Sequence, residues 1–87
     1  MKSYRIDLRK IQAREEMQTY ISKAIPVPPY YGRNLDALYD VLRDIAEPTA
    51  MLVLHDREPA AAVNGAIKTM KDAAHDNPAL SVEFWAV

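Results

Sequence analysis

The chain has 87 residues, with eleven basic and twelve acidic side chains for a formal net charge of -1, no cysteine, and apolar residues at 49% against 26% charged. This length supports one domain with one modest core, since a chain of this size buries roughly 60% of its unfolded surface. The composition excludes a disordered chain, a disulfide scaffold, a thiolate metal cluster, a cysteine nucleophile and a bulk basic field for nucleic acid, so any electrostatic specialisation is local.

The opening MKSYRIDLRK has no long apolar run before a small-residue cleavage site. No stretch approaches the roughly 20 apolar residues of a membrane span, and a cytoplasmic protein is expected. In SYRIDL, residues Tyr4, Ile6 and Leu8 alternate with Arg5 and Asp7, so Ser3 to Leu8 reads as a half-buried strand. From Ile11 to Ile25 the apolar Met17, Tyr20, Ile21 and Ala24 recur at three- and four-residue spacing, while Arg14, Glu15, Glu16 and Lys23 fall elsewhere. That is the pattern of an amphipathic helix. PVPPYYG ends it, because prolines lack an amide donor and push the preceding residue toward extended backbone.

Asn34 suits the N-cap of a second helix, whose apolar stripe is Leu35, Leu38, Leu42 and Ile45 with Val41 alongside, closing near Glu47-Pro48. TAMLVLH is short and continuously apolar, which predicts a strand covered on both faces. Pro59 fits the first turn of a third helix, whose stripe of Val63, Ile67, Met70 and Ala74 stops before Asn77-Pro78. Gly65 inside it costs up to about 1 kcal/mol relative to alanine, so either another backbone packs closely there or the helix breaks. ALSVEFWAV alternates Leu80, Val82 and Phe84 against Ser81 and Glu83, and gives a last strand. The order is β-α-α-β-α-β. Strands separated by helices require crossovers, which predicts an α/β domain over residues 1 to 87 with a three-stranded, mostly parallel sheet packed with helices.

Asp36, Asp40 and Asp44 fall at i, i+4 and i+8 of the second helix, a ridge of like charge opposite the leucine stripe. Aspartate is a poor helix former, and each such pair costs a few tenths of a kcal/mol. Asp36 lies in the first turn, where the helix dipole favours it. Asp40 and Asp44 have no such excuse. On spacing alone a solvated face is the simpler reading, with Arg43 pairing to Asp40 and Arg33 close to Asp36. The neighbours sharpen it: Tyr30 and Tyr31 precede the helix in a proline-stiffened segment and Tyr39 projects beside the ridge, so rigid aromatic surface flanks carboxylates, the usual content of a protein-binding hot spot. Tyr31 and Tyr39 are each open to a core or a surface reading.

YYGRNLDALYDVL resembles the signature of the barstar family, small cytoplasmic inhibitors of secreted bacterial ribonucleases, in which a Tyr-Tyr-Gly turn leads into an acidic helix. The element order over the whole chain is similar to that fold. The resemblance implies that Tyr30, Asp36 and Asp40 enter a ribonuclease active site, that Gly32 and Asn34 shape the turn and cap, and that Asp72 on the third helix adds an acidic contact. With Ala37, Tyr31, Tyr39, Arg43 and Asp44 bordering these positions, they form the expected partner-binding surface. It implies occlusion of the enzyme rather than chemistry, with no cofactor, no metal, no membrane and a free monomer. Arg33, where the best-known member of that family has an acidic residue, predicts a complementary acid on the partner, and a net charge far less negative than that member's predicts weaker long-range steering. A ribonuclease toxin domain met by an immunity protein is the same reading with another target. A non-nuclease interaction module of this fold is the alternative.

Enzymatic candidates are thin. His55-Asp56 and His75-Asp76 read as a turn and a helix-end charge effect, and Ser3, Ser22 and Ser81 lie in no nucleophile motif. Asp36 and Asp40 on one helix face bring few further oxygens to a divalent metal. Carboxylates beside the only aromatic cluster repel phosphate, which argues against nucleic acid.

Overall fold

The computed structural model describes all 87 residues. Its elements are β1 (Lys2–Asp7), α1 (Arg14–Ala24), α2 (Leu35–Arg43), β2 (Thr49–His55), α3 (Ala61–Asp76) and β3 (Leu80–Ala86), the expected order. The three strands form one sheet in the order β1-β2-β3, both pairings parallel. No helix is long and apolar enough to cross a membrane.

Register explains the core. Tyr4, Met51 and Val82 align across the sheet, as do Ile6, Val53 and Phe84, and these rows face the helices. From the helices, Met17, Ile21, Leu38, Leu42, Val63 and Met70 join Ile6 and Val53 in one cluster, each nearly inaccessible to water. At about 25 cal/mol per Å² such burial is the main favourable term of the fold.

The expectation that β2 is covered on both faces does not hold. On its outer side Leu54 is buried but Ala50 and Leu52 are only half-buried, and the flanking Ser3, Arg5, Ser81, Glu83 and Trp85 are exposed. Crossovers between parallel strands are right-handed as a rule, and two of them stepping in one direction, from β1 to β2 to β3, leave their helices on one face. The central strand is apolar because it is central, and only its inner side meets helices.

Three boundaries also differ. Ile11 is buried but lies ahead of α1, because apolar periodicity records burial and not helix. α2 stops at Arg43, although Ile45 packs against the core beyond it. Pro59 precedes the α3 N-cap, Ala60, instead of lying in its first turn, and its carbonyl accepts from Asn64 Nδ2 at 3.2 Å. Gly65 sits in an unbroken helix, and its close neighbour is a side chain: a Cβ there would fall 2.9 Å from Leu35 Cδ1. The missing side chain lets α2 seat on α3 through Leu35.

Candidate functional site

The turn from Pro28 to Asn34 is built by local rules. Tyr31 N–H donates to the Pro28 carbonyl at 3.0 Å. Asn34 is the N-cap as expected, its Oδ1 accepting from the Ala37 amide at 2.7 Å, which satisfies one of the free amides of the helix start. The left-handed residue is Arg33, at φ 55, and not Gly32. Glycine serves closeness instead: a Cβ at Gly32 would lie 3.2 Å from Asn34 Nδ2 and 3.5 Å from Ala37 Cβ, crowding the cap.

From this turn Tyr30 reaches into solvent at 86% exposure. Tyr31 turns inward, packs on the core and donates its hydroxyl to Gln18 Oε1 of α1 at 2.6 Å. Burial pushes its phenol pKa up, opposed by the Gln18 bond. Tyr39 also packs against the core, and its hydroxyl donates to Asp76 at the end of α3 through a short hydrogen bond. That bond, with further burial and the Asp76 charge, raises the Tyr39 pKa. Both tyrosines are thus part core and part surface, and Tyr30 alone of the three is free.

The ridge of aspartates divides. Asp40 and Asp44 face Tyr30, Tyr31 and Gly32 across a groove of about 490 Å³ whose floor includes Ala37 and Val41. Asp36 instead lines a second depression with Asn34, Leu35 and Arg14, at the other flank of α2. Each four-residue step turns the carboxylate by the same amount, about 40°, so the division is set by what lies beside α2: the tyrosine turn next to Asp40 and Asp44, and Arg14 with Asn34 next to Asp36. Asp40 and Asp44 therefore belong to the tyrosine groove, while Asp36 stands at its shoulder.

Arg43 is the cation of this surface. Its guanidinium lies 3.7 Å from Asp40 Oδ1 and 3.4 Å from Asp44 Oδ1, and 5.5 Å from the Tyr39 ring centroid. The side chains of Asp40 and Asp44 remain 63% and 71% exposed, so water screens these pairs and leaves the carboxylates available. Arg33 does not pair with Asp36; its Nη2 donates to Thr19 Oγ1 at 2.5 Å. Asp72 accepts from Lys68 Nζ at 3.1 Å on the exposed side of α3 and lies near enough to Tyr39 to raise its pKa slightly.

Sequence reasoning missed three contributors. Asp76 was read only as half of a helix-end pair, yet it receives Tyr39. Gln18 is buried, and no periodicity announces a buried polar residue. Asn77, also buried, donates through Nδ2 to the carbonyls of Leu42, Arg43 and Ile45 at 3.0, 3.1 and 2.9 Å, closing the C-terminal end of α2. The histidines form no dyad: His55 Nδ1 meets the Asp56 carbonyl at 2.8 Å while the Asp56 carboxylate accepts from the Lys10 amide. No cluster of three or more metal-ligating side chains is gathered anywhere.

This surface is a hydrogen-bonded turn, a helix capped by Asn34 and closed by Asn77, and open carboxylates between them. A family model described as Barstar (barnase inhibitor) matches residues 1–87, the whole chain. No curated protein matches it.

Proposed function

From its place in the barstar family, to which the chain belongs along its full length, we propose that it is a cytoplasmic inhibitor of a bacterial ribonuclease or ribonuclease toxin domain. The observation that carries this reading is the groove in which Asp40 and Asp44 face Tyr30 across Ala37. An RNA-cleaving pocket is lined with cations that neutralise phosphate. Carboxylates already fixed on a capped helix pair with such cations without the entropy of ordering a loop. Tyr30 supplies a large apolar surface with only two torsions to fix, which is how aromatic anchors gain contact area at low entropic cost. Asp36 at the shoulder and Asp72 on α3 extend the acidic field, and Arg43 swings aside or meets an acid at the rim of the partner.

Inhibition on this reading is occlusion. The inhibitor fills the space of the substrate phosphates and makes or breaks no bond. With a net charge of -1, association is steered mainly by the local patch, so its rate falls less steeply with salt than for a strongly acidic inhibitor.

The test is inhibition of a panel of small bacterial ribonucleases and toxin ribonuclease domains by the pure protein, with Asp40→Ala alongside. One enzyme tightly inhibited by the parent chain and released by the variant establishes the mechanism. An untouched panel sinks it and leaves an interaction module of the same fold.

A further inference from the structure

Two consecutive residues of α1 grip two alternating residues of the tyrosine turn. Gln18, 1% exposed, accepts the Tyr31 hydroxyl at 2.6 Å, and Thr19 accepts the Arg33 guanidinium at 2.5 Å. The Nε2 of Gln18 is buried with no hydrogen-bond partner. An orphan donor destabilises the fold, and a methionine of similar volume fills the same space without it. The amide is therefore poorly explained by packing, and well explained by its other end, the carbonyl that holds Tyr31. Arg33 is the left-handed residue of the turn, at φ 55, a conformation that a non-glycine residue keeps only when its surroundings over-determine it.

We propose that Gln18 and Thr19 are positioning residues for the binding surface. By drawing Tyr31 and Arg33 inward onto α1, they turn Tyr30 outward and hold it over the groove before a partner arrives. The inference rests on the reading of Tyr30 as a binding anchor, and its structural half stands on the free protein alone. Removing the grip lowers the fraction of molecules with a competent turn, and apparent affinity falls by that fraction.

Three variants separate this from a merely structural role: Gln18→Met, which keeps the volume and loses the acceptor; Tyr31→Phe, which loses only the hydroxyl; and Thr19→Val, which releases Arg33. Backbone order parameters are measured by NMR on each free protein, and inhibition constants on the enzyme that Asp40→Ala releases. The expected result is loosening confined to residues 29 to 33, with the helices and strands unchanged, and inhibition weakened on the order of tenfold per folded molecule. Tyr31→Phe, the mildest change, guards against loss of the fold in Gln18→Met. Order parameters at 29 to 33 that stay at parent values in all three variants overturn the proposal. So does a loosened turn with undiminished inhibition. A loosened turn in a protein whose parent form inhibits no ribonuclease sinks the inhibitor reading and leaves the grip intact.

Discussion

Two surfaces of this molecule each carry an exposed aromatic beside a carboxylate, and they treat their polar groups in opposite ways. On the open face of the sheet, Trp85 is 54% exposed and donates Nε1–H to Glu83 Oε2 at 2.7 Å. There too, Asp7 is chelated by Arg9 through bonds of 2.9 and 2.7 Å. On the tyrosine face, Tyr30 has no such partner, Asp36 enters no salt bridge, and Asp40 and Asp44 have only the contacts of 3.7 and 3.4 Å that they share with Arg43. On the sheet face both of these carboxylates are bonded. The tyrosine face keeps loosely paired, exposed carboxylates on a capped helix, which is the condition under which a cationic partner gains most.

The widest separation of the two faces comes from carboxylate deletions. Asp40→Ala is expected to leave folding within about 0.5 kcal/mol of the parent and to lose at least about 2 kcal/mol of binding, read by urea denaturation and inhibition titration. Asp7→Ala is the contrast: inhibition unchanged, stability reduced. Equal losses of inhibition from both would erase the distinction.

Asn77→Ala tests the support beneath the tyrosine face. It removes donors from three carbonyls at the end of α2 and is expected to destabilise by about 2 kcal/mol in urea, with faster amide exchange concentrated in the last turn of α2. Uniform acceleration across all helices would mean that the clamp is not local.

The aromatic pair comes next. Tyr30→Ala should weaken inhibition by about 1 to 2 kcal/mol without moving the urea midpoint, and Trp85→Ala should change stability by less than about 1 kcal/mol without touching inhibition. A reversed pattern would assign the partner to the sheet.

The smallest effect is in acid. The Arg9 guanidinium bonded to its carboxylate holds Asp7 down to about 2, against an ordinary 3.8. A depressed folded-state pKa gives stability that is present above the unfolded value and lost as pH falls through the folded one, here between about pH 4 and pH 2. The side chains of the pair are 38% exposed, so after screening by water less than about 1 kcal/mol is at stake. The stability gap between parent and Asp7→Asn should be open at about pH 5 and closed at about pH 2.

Element order was legible because the helices and the two outer strands repeat their apolar residues at the period of their backbone, and β2 stands out as a short continuous apolar run. The turn was legible through Pro28, Pro29 and the Asn34 cap, all local chemistry. What escaped depends on partners distant in sequence. The end of α2 is set by Asn77, thirty-two to thirty-five positions further on. The inward turn of Tyr31 is set by a buried glutamine, and the split of the aspartate ridge by the different neighbours at the two ends of α2, which equal spacing conceals. The absence of helices on the outer side of β2 follows from the strand order β1-β2-β3 and the handedness rule for crossovers, which no single segment encodes.

The clamp of Asn77 on α2 also orders events in time. During synthesis the tyrosine turn and the whole of α2 leave the ribosome well before the residue that closes the helix. A nine-residue helix is too short to persist unaided in water, so the nascent chain carries the acidic motif in an unfinished form. The binding surface matures only when α3 has been made and Asn77 has docked, and a chain released short of it carries the motif without the means to hold it.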